Sequence, residues 1–436
     1  MAVTFDEVLP KVREVLASRD GLLEELDWMV VNRDLNGRIS LVVPDAASAD
    51  EHLQGQLGEL ASTLEGELGP HGLAADRAVL YEEDRRPVLA NAPNYPLDEE
   101  WDHVTVVDRL VTEGWWGAVE PATESAKRVV FYSIKGGVGR STALAVSAWW
   151  LAQAESRVLV LDMDLESPGL SSTLLPEERR PAYGIADWLV EDLVGNGDAV
   201  LDDMVATSEL SREGEILVVP SHGQDPGDYV AKLGRAWMPS RSQGEVHQAW
   251  HQRLDRMIAE LESQWRPDVI LIDSRSGIDD IASACVTDLK AGLVLLFAHD
   301  DAQTWTGYSL LLRYWTRTQV IRDMRERLQV IGATLPDVDT ETRFDELRER
   351  AWDLFSEYLY DEIPAGAQEE ACWNFDDRDE GAPHYPWAVR WHRDFTALTS
   401  LHDRLEGIDS GQVRQLFGPL VEGIERYVSA RSTADE

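Results

Sequence analysis

The stretch Lys135-Gly136-Gly137-Val138-Gly139-Arg140-Ser141-Thr142 decides the fold of this 436-residue chain. The apolar run Val129–Ile134 precedes it, and a helical pattern that includes Leu144 and Leu151 follows it. A glycine-rich loop between a strand and a helix lets successive backbone N–H groups converge on an anion. The sequence therefore predicts a phosphate-binding loop, in which Arg140 stands where such loops usually carry lysine.

Acidic residues stand at the ends of two other predicted strands. Asp162 and Asp164 follow Val158–Leu161, and Asp273 follows Val269–Ile272. Ligands bind at the carboxyl ends of the strands in open α/β sheets, where carboxylates can hold Mg²⁺ or its water shell. Taken alone, Asp162 and Asp164 fit a solvated strand end equally well. Together with the loop, these acids predict a nucleotide site with a metal ion.

Short apolar segments rich in β-branched residues alternate with helical patterns from Arg128 onward. This alternation predicts an α/β fold with a doubly wound, mostly parallel sheet. The predicted strands after the loop are Val158–Leu161, Ile216–Val219, Val269–Ile272, Leu293–Phe297 and Leu328–Ala333. The predicted C-terminal amphipathic helices are Arg343–Leu359 and Val413–Val428.

We predict three parts along the chain. Residues 1–84 form a small N-terminal α/β domain, residues 85–127 a linker and connector, and residues 128–436 the P-loop domain. In the first part, Asn36-Gly37 predicts a hairpin, because both residues tolerate positive φ. Partner binding and a packing role both remain open for this domain. Three prolines mark the linker, Pro87, Pro93 and Pro96.

Composition limits the classes of partner. The chain has 40 Lys and Arg against 80 Asp and Glu, a formal net charge of −40. Binding to a phosphate backbone depends on Lys and Arg, so generic DNA binding is disfavoured, and an anionic membrane surface is repelled as well. No apolar run approaches the ~18 residues of a spanning helix, and the N-terminus lacks a signal-peptide pattern. We therefore expect a cytoplasmic protein.

Neither cysteine usage nor the C-terminal helix adds a site. Cys285 and Cys372 form no CxxC pair, so neither a disulfide framework nor a zinc site is indicated. A membrane-surface helix needs Lys and Arg on its polar face, whereas Val413–Val428 carries Glu422 and Glu425. Membrane anchoring through this helix is therefore disfavoured.

The sequence resembles the ParA/MinD-like ATPases, the deviant Walker A group of the SIMIBI class of P-loop NTPases. Residues 128–335 carry the resemblance, the rest of the C-terminal part matches loosely, and residues 1–120 do not match. The motifs are the KGGVGR-type loop at residues 135–142, Leu161-Asp162-Met163-Asp164, and Ile272-Asp273-Ser274-Arg275-Ser276-Gly277-Ile278.

The resemblance implies roles for individual residues. Lys135 is expected to reach across a homodimer to the nucleotide of the partner, Arg140 to face the β- and γ-phosphates, and Asp164 to position or activate water. The expected Mg²⁺ site consists of Ser141, Asp273 and Asp162. The expected ATP- or ADP-binding residues are Gly136, Gly137, Val138, Gly139, Arg140, Ser141, Thr142 and Gly277, of which Gly277 is expected to sense the γ-phosphate through its N–H.

Three functional hypotheses follow from the resemblance. The first is a slow Mg²⁺-dependent ATPase that dimerises on ATP and recruits an unidentified protein partner, in a bacterial signalling or antiviral defence module. The second is a scaffold that holds nucleotide with little turnover, because Arg140 is a planar fork and lysine is a compact charge. The third is a partition-type DNA-binding ATPase, which the net charge disfavours.

Overall fold

The chain forms two compact units, Met1–Gly117 with Arg317–Gln319 and Ala118–Thr316 with Val320–Glu436. The computed structural model describes residues 3–90, 92–110, 116–123, 125–211, 213–240, 248–363, 372–392, 395, 405 and 407–430. Each unit has its own sheet and its own hydrophobic core.

The N-terminal unit is a five-stranded mixed sheet with the order β3-β2-β1-β5-β4. Its strands are β1 (Met29–Arg33), β2 (Ile39–Pro44), β3 (Val79–Glu82), β4 (Asn94–Pro96) and β5 (Val104–Asp108). Its helices are α1 (Phe5–Ala17), α2 (Asp20–Glu25), α3 (Glu51–Leu68) and α4 (Arg85–Leu89). The core of this unit is formed by the apolar faces of α1 and α3 and by residues of β1, β2, β4 and β5.

The hairpin predicted from Asn36-Gly37 is confirmed. Strands β1 and β2 pair antiparallel, and the backbone N–H of Asp34 donates to the carbonyl of Arg38 across the turn (2.9 Å). Gly37 has φ +77°, a conformation that glycine adopts without steric cost. The residue types of the turn were therefore sufficient to predict that these two strands form a hairpin.

The predicted boundary at residue 84 lies too early, and the predicted linker is wrong where it covers β4 and β5. Strand β5 is an interior strand of the N-terminal sheet, parallel to β1, and β4 pairs with β5 at the edge. Proline is tolerated on an edge strand, so Pro96 within β4 did not exclude a strand there. Residues 111–115 of the predicted connector lie outside the described residues.

The second unit contains an eight-stranded sheet. Its strands are β6 (Lys127–Ser133), β7 (Arg157–Asp162), β8 (Ala206–Thr207), β9 (Glu215–Val219), β10 (Val269–Ser276), β11 (Leu293–Ala298), β12 (Leu328–Leu335) and β13 (Trp387–Arg390). Its helices are α5 (Arg140–Gln153), α6 (Leu170–Leu174), α7 (Ile185–Glu191), α8 (Asp198–Leu201), α9 (Tyr229–Ala236), α10 (Trp250–Trp265), α11 (Asp280–Ser283), α12 (Ala302–Arg317), α13 (Ile321–Arg325), α14 (Thr340–Tyr358) and α15 (Ser410–Ser429).

The strand order of this sheet is β13-β12-β11-β6-β10-β7-β9-β8. Every neighbouring pair is parallel except β8 and β9, which confirms the predicted mostly parallel α/β fold. Strand β6 lies between β11 and β10. The strands β7 to β10 lie on one side of β6, and the strands β11 to β13 lie on the other side. Ligands bind at this kind of switch point in open α/β sheets, and the glycine-rich loop follows β6 directly.

Helix α15 is a packing element of the second core. Its buried face includes Val413, Phe417, Leu420 and Ile424, and it packs against α5 and β13. The indole N–H of Trp150 on α5 donates to a carboxylate oxygen of Glu425 (2.9 Å). Among the described residues, no helix has the length and apolar character needed to cross a membrane.

Candidate functional site

The glycine-rich loop carries backbone amides that are not paired among the described residues. Gly137 (φ +76°) and Gly139 (φ +79°) adopt the left-handed conformation that bends the loop, and α5 begins at Arg140. Within the described part of the chain, the amides of residues 136–140 donate to no protein acceptor, and no side chain caps the helix. Unpaired amides at a helix N-terminus, together with the helix dipole, are the arrangement that binds phosphate.

Arg140 points toward the acids of the neighbouring strands. Its Nε donates to Oδ1 of Asp273 (2.6 Å), one terminal nitrogen donates to Oγ of Ser133 (3.1 Å), and the other donates to Oδ2 of Asp164 (3.2 Å). The side chain is 7% exposed. Burial acts to lower the pKa of Arg140, and the two carboxylates outweigh that effect and raise it. The guanidinium therefore stays charged and balances the charge of two acids.

Ser141 and Arg140 together occupy both carboxylate oxygens of Asp273. The hydroxyl of Ser141 donates to Oδ2 of Asp273 (2.6 Å) while Arg140 holds Oδ1. Asp273 is buried beneath these two side chains and does not line the cavity described below. Both of its oxygens are thus engaged within the protein.

Asp162 lies deeper than the sequence pattern suggested. It faces Asp273 across the β7–β10 ladder, is fully buried, and does not line the cavity. Its Oδ2 accepts hydrogen bonds from the backbone N–H and the hydroxyl of Ser171 (3.2 Å each). Burial first, and the nearby Asp273 second, raise the pKa of Asp162 to about 7. The structure therefore does not bring Asp162 to the surface where a cavity-bound metal ion would lie.

Asp164 reaches the cavity wall. Its carboxylate accepts the hydrogen bond from Arg140 and lines the open space in front of the loop. Burial raises the pKa of Asp164, and the positive charge of Arg140 opposes that rise. Of Asp162, the last residue of β7, and Asp164, just beyond it, Asp164 is the one positioned to contact a ligand in the cavity.

Lys135 forms an ion pair within its own chain. Its Nζ lies 3.4 Å from Oδ1 of Asp301, and both side chains are partly exposed. Asp301 also accepts hydrogen bonds from the backbone N–H groups of Gln303 and Thr304 at the start of α12. Lys135 does not line the loop cavity.

Gly277 lies at the end of β10 with φ +99°. Its backbone N–H donates to the carbonyl of Ser133 (2.9 Å), and its carbonyl accepts a hydrogen bond from the hydroxyl of Tyr132 (3.0 Å). The N–H that the family resemblance assigns to the γ-phosphate is thus engaged within the protein. Contact with a phosphate requires this segment to move.

A cavity of about 500 Å³ lies in front of the loop. One side is polar and is formed by Gly136, Gly137, Val138, Gly139, Arg140, Ser141, Thr142, Asp164, Ser167 and Ser276. The lining also includes residues to which sequence reasoning assigned no role in a site, Val389, Arg390, Trp391, His392, Phe395 and Phe417. Val389 and Arg390 belong to the short strand β13 and Phe417 to the predicted helix Val413–Val428, and no motif marks any of the six.

Asp162 provides a pH test of this geometry. The pKa of Asp162 is higher in the folded state than in the unfolded state, so the unfolded chain loses this proton first as the pH rises. The contribution of Asp162 to stability is therefore present at low pH and is lost as the pH rises toward about 7. Asp162→Asn removes this titration and keeps an acceptor for Ser171. We therefore expect the free energy of unfolding of Asp162→Asn, relative to that of wild type, to be higher at pH 8 than at pH 5. Urea unfolding at both pH values, without nucleotide or metal, measures this, and an identical difference at the two pH values contradicts the assignment.

The comparisons with known proteins place the chain in a family. The family described as the CobQ/CobB/MinD/ParA nucleotide binding domain matches residues 129–368, which is more than half of the chain. No curated protein matches the chain significantly.

Solved structures to which the chain is similar include those of ParA and MinD proteins. The structure of pNOB8 ParA bound to nonspecific DNA has 18% identity, covers 71% of this chain and 100% of its own, and has a TM-score of 0.43. MinD complexed with Mg-ADP from Pyrococcus horikoshii OT3 has 19% identity, covers 71% of this chain and 99% of its own, and has a TM-score of 0.43. MinD from Aquifex aeolicus has 16% identity, covers 69% of this chain and 97% of its own, and has a TM-score of 0.42. On its family match, the chain is a ParA/MinD-like P-loop ATPase of the CobQ/CobB/MinD/ParA family.

Proposed function

We propose that the protein is an ATP-dependent dimerising switch that hydrolyses ATP slowly and acts through a protein partner. One observation carries the proposal: residues 136–140, whose amides donate to no acceptor in the described part of the chain, line the same cavity as Asp164. The amides fit the phosphates, and Asp164 fits a group that holds water beside them. Family membership supplies the ATPase chemistry. The N-terminal unit and the acidic surface are the proposed sites of partner recruitment, for a signalling or defence role.

The residues at the loop fit a Mg²⁺ ion. Ser141 Oγ and the carboxylate of Asp273 are hard oxygen groups of the kind that Mg²⁺ prefers, and they lie 2.6 Å apart. Bound Mg²⁺ supplies charge neutralisation on the phosphates. Ser141 is the proposed direct ligand, and Asp273 is proposed to hold the water shell once Arg140 leaves it. Asp164 orients and polarises water through its cavity-facing oxygen.

A specific observation favours the second candidate function, a nucleotide-holding scaffold. Arg140 already satisfies three acceptors, so its movement to the phosphates costs the hydrogen bonds to Asp273, Asp164 and Ser133. If that movement does not occur, the acids stay neutralised and hydrolysis is suppressed. Phosphate release by the wild-type protein separates the two functions. Turnover that depends on Asp164 supports the switch, and ATP-induced dimerisation without turnover supports the scaffold.

Dimerisation depends in this proposal on Lys135 exchanging partners. In the free chain Lys135 is paired with Asp301, and in the dimer it contacts the nucleotide of the other chain. We expect ATP and Mg²⁺ to double the mass measured by light scattering for wild type, and Lys135→Ala to remain monomeric.

Lys290 is the matched control for this experiment. Its side chain has the same exposure as Lys135, 37%, and it also forms an ion pair with an aspartate, Asp255. Lys290→Ala is expected to dimerise as wild type does. An unchanged mass of the wild-type protein in the presence of ATP contradicts the dimer.

DNA binding remains the less favoured proposal. The net charge of −40 opposes contact with a phosphate backbone. A mobility shift of duplex DNA that weakens steeply with added salt would overturn this preference.

A further inference from the structure

The cavity in front of the loop is lined by two chemically different groups of residues. The loop group offers backbone amides, hydroxyls and the charged side chains Arg140 and Asp164. The second group, from β13, the residues after it and Phe417 of α15, adds the aromatic rings of Trp391, Phe395 and Phe417. A ligand that matches both groups carries negative charge on one part and a flat apolar group on another.

Trp391 is unusual among the aromatic residues of this cavity. It is 43% exposed, and it is the only exposed tryptophan within the described ranges of the chain. Phe395 (8% exposed) and Phe417 (2% exposed) are instead buried against each other, with ring centroids 5.3 Å apart. An exposed indole on a cavity wall leaves apolar surface in water that a bound ligand can cover.

The backbone at Trp391 is fixed by the sheet. Its N–H donates to the carbonyl of Leu335 at the end of β12 (2.8 Å), directly after the register pair of Leu335 with Arg390. The indole therefore starts from a hydrogen-bonded strand end at the same edge of the sheet as the glycine-rich loop. A preorganised aromatic face loses little conformational entropy when a ring stacks on it.

We infer that Trp391 is the platform on which the base of the bound nucleotide stacks. The inference rests on the proposed nucleotide-binding function and adds a specificity-determining residue to it. A purine presents more surface to the indole than a pyrimidine, so the platform favours purine nucleotides. Stacking does not depend on the phosphates, which the loop amides bind separately.

The test measures the contribution of the base to binding separately from that of the phosphates. Calorimetric titrations use ATP and inorganic tripolyphosphate, each with Mg²⁺, on wild type, Trp391→Ala and Trp391→Phe. We expect Trp391→Ala to weaken ATP binding by about 10- to 100-fold, because an aromatic platform contributes that much per stacked base. Trp391→Phe keeps an aromatic face and recovers most of the affinity. Binding of tripolyphosphate, which has no base, stays unchanged in both variants.

Leu310→Ala is the control variant. Leu310 on α12 is 53% exposed and does not line the cavity, so its truncation leaves ATP affinity at the wild-type value. Wild-type ATP affinity in Trp391→Ala overturns the inference, and so does an equal loss of tripolyphosphate binding in that variant. It is also overturned if wild type binds ATP no more tightly than tripolyphosphate. If wild type binds neither ligand, the proposed function fails as well.

Discussion

Replacing Arg140 with alanine is expected to lower the free energy of unfolding of the nucleotide-free protein by about 3–5 kcal/mol. The substitution leaves the buried carboxylate of Asp273 with one oxygen unpaired and removes the hydrogen bonds to Asp164 and Ser133. A buried charge that loses its partner costs far more than the net strength of the pair. Urea unfolding followed by amide hydrogen exchange in β6 and β10 measures the second unit specifically.

Two further variants make the Arg140 result interpretable. Arg414 forms an ion pair with Glu422 in which both side chains are exposed, so Arg414→Ala is expected to cost less than about 1 kcal/mol. Arg140→Lys keeps the charge and loses the fork that reaches three acceptors, so its stability is expected to lie between wild type and alanine. If Arg140→Ala loses as little free energy of unfolding as Arg414→Ala, the buried hydrogen bonds of Arg140 contribute little to stability.

Replacing Asp164 with asparagine is expected to lower kcat for ATP hydrolysis by about 10²- to 10⁴-fold. Asparagine has the same shape and still accepts the hydrogen bond from Arg140, but it cannot take up a proton from water. Because Asp164 contributes to the proposed chemistry rather than to the phosphate contacts of the loop, ATP affinity is expected to change little. Steady-state phosphate release and calorimetric ATP titration measure the two effects separately.

The control for Asp164 is an acid of the same type outside the cavity. Asp225 is exposed and accepts a hydrogen bond from the backbone N–H of Gly227 (2.9 Å), a bond that asparagine also accepts. Asp225→Asn is therefore expected to hydrolyse ATP at the wild-type rate. Equal turnover by wild type and Asp164→Asn would remove Asp164 from the mechanism.

Features set by local sequence were predictable. The strand before the glycine-rich loop, the loop itself and the helix after it are consecutive in the chain, from Lys127 to Gln153, and each depends on backbone preferences that residue type reveals. The acids at the ends of β7 and β10 were also predictable, because the ends of parallel strands share one edge. The same rule did not say which acid lines the cavity. Asp162, the last residue of β7, is fully buried, whereas Asp164, two residues further on, lines the cavity.

Features set by distant contacts were not predictable. The direction of Arg140 depends on Asp273, 133 residues away, and on a rotamer that no motif specifies. Trp391 follows a four-residue strand whose register with β12 shifts, so its place on the cavity wall depends on the tertiary fold. Strands β4 and β5 were missed because they are short and one contains proline, although β5 is an interior strand of its sheet.

A calorimetric titration of the purified chain with ATP and Mg²⁺ tests most directly whether the loop at residues 135–142 binds nucleotide phosphates. We expect saturable binding of one nucleotide per chain, which is lost when the phosphates are removed and adenosine is used in place of ATP. If adenosine binds as tightly as ATP, or if ATP does not bind at all, the loop is not a nucleotide-phosphate site.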